Sequence, residues 1–214
     1  MKHSKHVAEL HSKTLDRYFE FQSVRDILGA QAETLVQAHQ HGDGRACIQL
    51  SNWHPDWVGK SFETNLAGEV DLDAARLAIA REHGYEDWAA VETKGDISVD
   101  PVFEKAVDAV IAGDELGLQN LLSEYPALIN QRSTYGHRAT LLIYTAANGV
   151  ETWRQFVPRN AAAIIRLLLD AGADKEATMF VYGGEHTTLA LTQTSAHPKE
   201  AGVLEAMVAE LTAG

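Results

Sequence analysis

The chain has one cysteine, Cys47, among 214 residues, so no intrachain disulfide can form. A lone thiol fits a reducing compartment. Proline is scarce, at five, so little interrupts helix formation. No apolar run approaches the roughly 18–20 residues of a membrane span, and MKHSKHVAELHSKTLDRYFEF lacks the apolar stretch of a signal peptide. A soluble cytoplasmic protein with no membrane partner is therefore expected. Basic charge is also short: 18 Lys and Arg stand against 30 Asp and Glu, a net charge of −12. The imbalance peaks at 96–130, where Asp96, Asp100, Glu104, Asp108, Asp114, Glu115 and Glu124 meet only Lys105. That sign argues against binding a phosphate backbone and fits a solvated face.

Catalytic and metal signatures are missing too. There is no nucleophile elbow, no Gly-rich phosphate loop, no C-x-x-C and no H-E-x-x-H. HGDGR (41–45) reads as a helix break. The ten histidines do not form a ligand pattern: His3, His6 and His11 lie in a polar leader, and His39 and His41 point apart on a helix. His137 with His186 and Glu185 is the one cross-repeat set that merits testing. The expectation is no metal, no cofactor and no catalytic residue.

What is present is internal repetition. VQAHQHGDGRACIQLSNWHP (36–55) and VDAVIAGDELGLQNLLSEYP (107–126) align at a shift of 71, matching Val36 with Val107, Gly42–Asp43 with Gly113–Asp114, Leu50 with Leu121 and Pro55 with Pro126. Each copy reads as helix, Gly-Asp turn, helix and stop, with glycine at the left-handed cap and aspartate as the next N-cap. Cys47 falls opposite Leu118, so it is expected in the core. A third copy pairs a helix over 140–149 with another over 161–174, whose Ile164, Ile165, Leu167, Leu168 and Leu169 form a wide apolar face. A fourth runs from TTLALTQTS (187–195) to VLEAMVAELTAG (203–214). No such helix pair buries its apolar face alone, so stacked neighbours are expected to share a core, with alanine-rich first helices close together.

GHRATLLIYTAANG (136–149) follows the rhythm of T-P-L-H-x-A-A-x-x-G through Thr140, Leu142, Ala146 and Gly149, and IIRLLLDAGADKEA (164–177) supplies a second helix and a G-A-D turn. On these motifs residues 100–214 resemble bacterial ankyrin-repeat proteins. ARLAIAREHGY with Trp88, within 71–92, resembles a segment often found ahead of such repeats. The Pro and His of T-P-L-H are absent, TLLI standing at 140–143 and TTLA at 187–190. The resemblance implies an all-α, ankyrin-type helical repeat solenoid with short β-hairpin fingers and an N-terminal helical extension. Its expected divisions are an extension over 1–30, a repeat-like region over 31–95 and ankyrin repeats over 96–214, in one continuous solenoid domain.

Function in such scaffolds gathers at insertions. VETWRQFVPRN (150–160) combines Trp153 and Phe156 with Arg154, a hot-spot composition; these aromatics either meet a partner or fold back on their own helices. TMFVYGGEHTT (178–188) reads as a hairpin with a Gly-Gly turn. Tyr135, His137 and Arg138 of the preceding finger are expected beside Tyr182 and His186, in one surface patch serving either recognition or ordinary turn bonding. Trp53, Trp57 and Trp88 are expected to pack locally. The functional expectation is noncatalytic recognition of a protein or peptide by Tyr135, His137, Arg138, Trp153, Arg154, Phe156, Tyr182 and His186. The alternative is a small-molecule binder or enzyme with a pocket between the 133–140 and 178–188 fingers, roofed by 150–160. A third possibility is a homo-oligomer covering Met207, Val208 and Leu211 of the last helix.

Overall fold

The computed structural model describes residues 2–213. The chain is mostly helical, with one two-stranded antiparallel sheet, and divides into two compact units.

The N-terminal unit comprises residues 2–99 together with 134–136. Its helices are α1 (Lys2–Leu10), α2 (Ser12–Leu15), α3 (Val24–Gln40), α4 (Gly44–Trp53), α5 (Phe62–Ala67), α6 (Leu72–Glu82) and α7 (Trp88–Lys94). The core lies between α3, α4 and α6, from Leu28, Leu35, Leu50, Ala78 and Ile79. Cys47 and Trp57 are buried, while Trp88 is half-buried under the Arg76 guanidinium, 5.0 Å from its ring. Helix α1 packs on α3 and α4, which sinks His11 out of solvent. The expectation of a polar leader fails at this residue because it directly follows α1, whose Val7 and Leu10 are buried in the core.

A relay of hydrogen bonds runs inward from His11. The Glu82 carboxylate accepts from the Gln49 amide nitrogen, so Gln49 Oε1 faces His11, whose Nε2 donates to it at 2.8 Å. That selects the Nε2–H tautomer. The other ring nitrogen, Nδ1, is buried without a partner, and burial lowers the imidazole pKa from 6.5 to about 4.

The second unit comprises residues 100–133 and the chain from His137 onward. It contains α8 (Pro101–Ala112), α9 (Glu115–Glu124), α10 (Leu141–Tyr144), α11 (Ala161–Asp170), β1 (Thr178–Val181), β2 (Gly184–Thr187), α12 (Thr188–Thr194), α13 (Ala196–Ala201) and α14 (Leu204–Thr212). Phe103, Leu118, Leu142, Ile143, Ile164 and Leu168 build its core. The two Gly-Asp turns take the same form: Gly42 and Gly113 both have φ of 72°, and Asp43 and Asp114 accept from Arg45 N and Gly117 N at 3.0 and 2.9 Å. Asp100 caps α8 by accepting from Val102 N and Phe103 N, and takes a third bond from Gln131 Nε2. Asp100→Ala is expected to lower stability by about 1–2 kcal/mol, read from urea unfolding.

Two expectations are corrected here, and a third is met. The helix expected over 140–149 is the single turn α10, because the chain reverses at Ala147, whose φ is 49°. The segment expected as a helix over 161–174, ended by Gly172, is helical from Ala161 to Asp170, and Gly172 takes the positive φ, 93°, that stops it. In the final helix Met207 and Leu211 are not free for a second copy: they are buried in this unit's own core, α14 packing on α11 and α12, while Val208 is half-buried.

Several of the long-range side-chain bonds in the second unit span 42–47 residues. Asn130 Nδ2 donates to Gly172 O, 42 residues on, and Asn148 Nδ2 to Leu191 O, 43 on. Arg132 reaches Thr178 O over 46 residues, Arg166 pairs with Glu210 over 44, and Asn160 donates back to Gly113 O over 47.

Candidate functional site

Two features of the second unit hold the sequence-predicted residues that it contains. The first is a buried cluster of ionisable side chains. Helix α8 presents Glu104 and Asp108, one turn apart on the same face. Glu104 sits among Phe103, Ala106 and Val107, on the buried side of its helix. A 3₁₀ turn over Thr152–Arg154 supplies Arg154, and Glu151 precedes it. Arg154 bonds Glu104, reaches Asp108 at 3.1 Å and lies 3.8 Å from Glu151. The Tyr144 hydroxyl donates to Glu151 at 3.1 Å.

His137 completes the cluster. Its Nδ1 accepts from Ala139 N at 3.1 Å, which leaves Nε2 as the N–H that faces Glu151 Oε1 at 3.3 Å. Its ring meets that of Tyr144 edge to face at 5.9 Å. Burial raises the Glu104 carboxyl above its ordinary range, with Arg154 opposing. Burial and the Glu151 charge raise the Tyr144 phenol well above 10. Burial alone would lower the Arg154 guanidinium, but Glu104 and Glu151 override it and hold it fully charged.

Apart from Asp108, whose side chain is 57% exposed, these groups have almost no access to water. The arrangement ties the 150–160 loop to α8. Val150, Thr152, Trp153 and Val157 of that loop are buried as well. Trp153 and Arg154, expected as contact residues, therefore belong to the interior, and Phe156 is half-buried. Their aromatic and guanidinium chemistry is engaged by their own scaffold.

The second feature is the hairpin. Strand β1 pairs with β2 in the register Thr178–Thr187, Met179–His186, Phe180–Glu185 and Val181–Gly184. Its turn differs from the expected Gly-Gly pair: Tyr182 and Gly183 are the central residues, with φ of 55° and 81°, and Gly184 already belongs to β2. Two consecutive positive φ values match the right-handed twist of a tight hairpin. The strand period of two puts Met179 and Val181 into the core and Phe180 on the other face, 59% exposed. Tyr182 is 65% exposed, with its hydroxyl donating to Asn148 Oδ1 at 2.9 Å.

The single surface patch expected from Tyr135, His137, Tyr182 and His186 does not form. Tyr135 is buried in the N-terminal unit, its ring 5.0 Å from that of His83, and His137 is buried against Glu151. Tyr182 and Arg138 are exposed and His186 is half-buried. His137 is likewise not gathered with His186 and Glu185; among the described residues no group of three or more His, Cys, Asp or Glu could hold a metal ion.

Sequence reasoning missed Glu104, Tyr144, Glu151 and Phe180. The signal for Glu104 was a carboxylate at an apolar position of PVFEKAVDAV. For Phe180 it was the alternation in TMFVY, which sets Phe180 and Tyr182 on the face opposite Met179 and Val181. Nothing local marks Glu151. Among the described residues no helix is long and apolar enough to cross a membrane.

No family model matches this sequence. No curated protein and no solved structure matches it significantly.

Proposed function

We propose that the chain is an ankyrin-type helical-repeat module that binds a protein or peptide without catalysis, using its hairpin as the contact element. The observation that carries this reading is the hairpin's two faces. Met179 and Val181 lock one face into the core, and Phe180 and Tyr182 stand exposed on a tight turn. Aromatics held rigid in this way bury large area at little entropic cost. Arg138, with φ of 54°, is exposed on the neighbouring finger and adds a cation suited to acidic groups on the partner. The repeat reading is supported by the matched Gly-Asp turns and by several side-chain bonds that link segments 42–47 residues apart, as stacked neighbouring units would be linked. The solitary buried thiol of Cys47 suits a cytoplasmic setting.

The rival reading, a small-molecule site or enzyme, draws on the density of perturbed groups around Glu151, since such groups gather at functional sites. Its weakness is that His137, Tyr144 and Arg154 are closed off from solvent and packed against one another and Glu151.

A photo-crosslinking residue at position 180 tests recognition, with position 33 as a surface control. A discrete adduct at 180, competed by unlabelled protein and absent at 33, is expected. Phe180→Ser/Tyr182→Ser is expected to weaken affinity for that adduct's protein about tenfold or more. Equal adduct patterns at the two positions, or unchanged affinity in the variant, would reject the reading. A thermal-shift response to a metabolite would then favour the rival.

A further inference from the structure

The outer surface of α8 and α9 bears a groove of about 460 Å³, away from the hairpin and from the aromatic residues considered above. Its apolar lining is mostly small, with Leu121 the one large residue. Ala109 and Ala112 come from α8, and Gly117 and Leu121 from α9. Asp108, Asp114 and Glu124 stand at its rim, with Lys105 as the cation among its lining residues. Each helix contributes positions spaced i, i+3, i+4 and i+7, 105 to 112 on one and 117 to 124 on the other. Such spacing makes a continuous stripe along a helix.

Helix α9 has a second groove on its opposite flank, about 560 Å³, shared with α11 and carrying Leu122 and Leu167 with Glu115 and Asp170. On the crest between the two grooves lies Leu116, 68% exposed. This exposed leucine stands between the two grooves, with Asn120 of the first and Gln119 and Ser123 of the second as its polar neighbours on α9, and exposed apolar surface of this kind is where interaction sites form.

We infer that the α8–α9 groove docks a basic amphipathic helix of a partner protein. Small floor residues let a third helix approach to the roughly 8–10 Å axis separation of packed helices. Apolar side chains of the incoming helix would lie between the two stripes, in the helix-in-groove mode. The rim chooses the sign. Arg154 neutralises part of the Asp108 charge from beneath, and Asp114 spends one oxygen capping α9, yet three carboxylates still outnumber Lys105. Lysine and arginine flanking an apolar face complement this rim, whereas phosphate-bearing partners meet repulsion. The surface is separate from the hairpin, so the two binding readings stand or fall independently.

The test uses a fluorescein-labelled Lys/Leu amphipathic helical peptide, its Glu/Leu counterpart and anisotropy titration on the full chain. The Lys/Leu peptide is expected to bind, more weakly as salt rises, and the Glu/Leu peptide is not. Ala112→Lys/Glu124→Lys, both at exposed positions, is expected to weaken binding about tenfold or more. Glu205→Lys/Glu176→Gln makes the same change in net charge on other exposed positions and is expected to leave binding within about threefold. Phe180→Ser/Tyr182→Ser is expected to bind the peptide as wild type does. Circular dichroism checks that every variant is folded. Equal weakening by the charge-matched control would overturn the inference, because the overall field of the acidic chain would then explain the binding. So would unchanged binding by the groove variant, or no binding of the Lys/Leu peptide up to about 1 mM.

Discussion

Arg154→Met is expected to destabilise the protein by about 3–5 kcal/mol, the cost of breaking a buried ion pair by removing one partner. The methionine refills much of the aliphatic volume, so the loss reports charge more than packing. In the wild type one guanidinium answers Glu104 and Glu151, both buried, and Asp108 at the edge. Without it, two carboxylates remain in the interior. Glu104 is already pushed toward its protonated form by burial, and it would lose the group that opposes that push. Adding Glu104→Gln to Arg154→Met is therefore expected to recover part of the loss, so the two changes will not sum. Urea unfolding followed by tryptophan fluorescence measures both, Trp153 being the neighbour of Arg154. A loss below about 1 kcal/mol would place Arg154 among the inconsequential ion pairs and sink this account of the loop.

The second large effect is on pH dependence. His11 is neutral in the folded chain down to about pH 4, against 6.5 when exposed. The unfolded chain therefore takes up this proton first. The stability associated with a neutral His11 is complete above about pH 6.5 and is lost as pH falls toward 4, to a total of about 3 kcal/mol. Burial is the cause, and the bond to Gln49 only partly offsets it. His11→Gln removes the titration and retains an amide that can donate to Gln49. Wild type is expected to lose about 2 kcal/mol more than this variant between pH 7 and pH 5. His54, whose pKa burial also lowers, contributes equally to both proteins and cancels in the comparison. Equal slopes in the two proteins would show that His11 is accessible or already charged.

Much of the local architecture was legible in the sequence. The Gly42–Asp43 and Gly113–Asp114 turns are written in residue types that accept positive φ and cap the next helix, and both recur in the structure. The alternating TMFVY with its glycines marks the hairpin, though the turn uses Tyr182 with Gly183. Cys47, which aligns with Leu118, is buried as expected. These features depend on a few neighbouring dihedral angles and on one periodicity, which a short window of sequence contains.

What the window could not contain is which polar residues go inside. Arg154 reads as a hot-spot arginine until α8 brings Glu104 to it from 50 residues away. His11 reads as solvated until α1 lies on α3 and α4 and Gln49 meets its ring. Phe180 and Trp153 are both aromatic residues in insertions, and one is exposed while the other is buried. Helix and turn formation follow from local backbone preferences, which the sequence by itself determined. The burial of a charge or an aromatic ring depends on which distant surface arrives to cover it, and only the tertiary structure decided that.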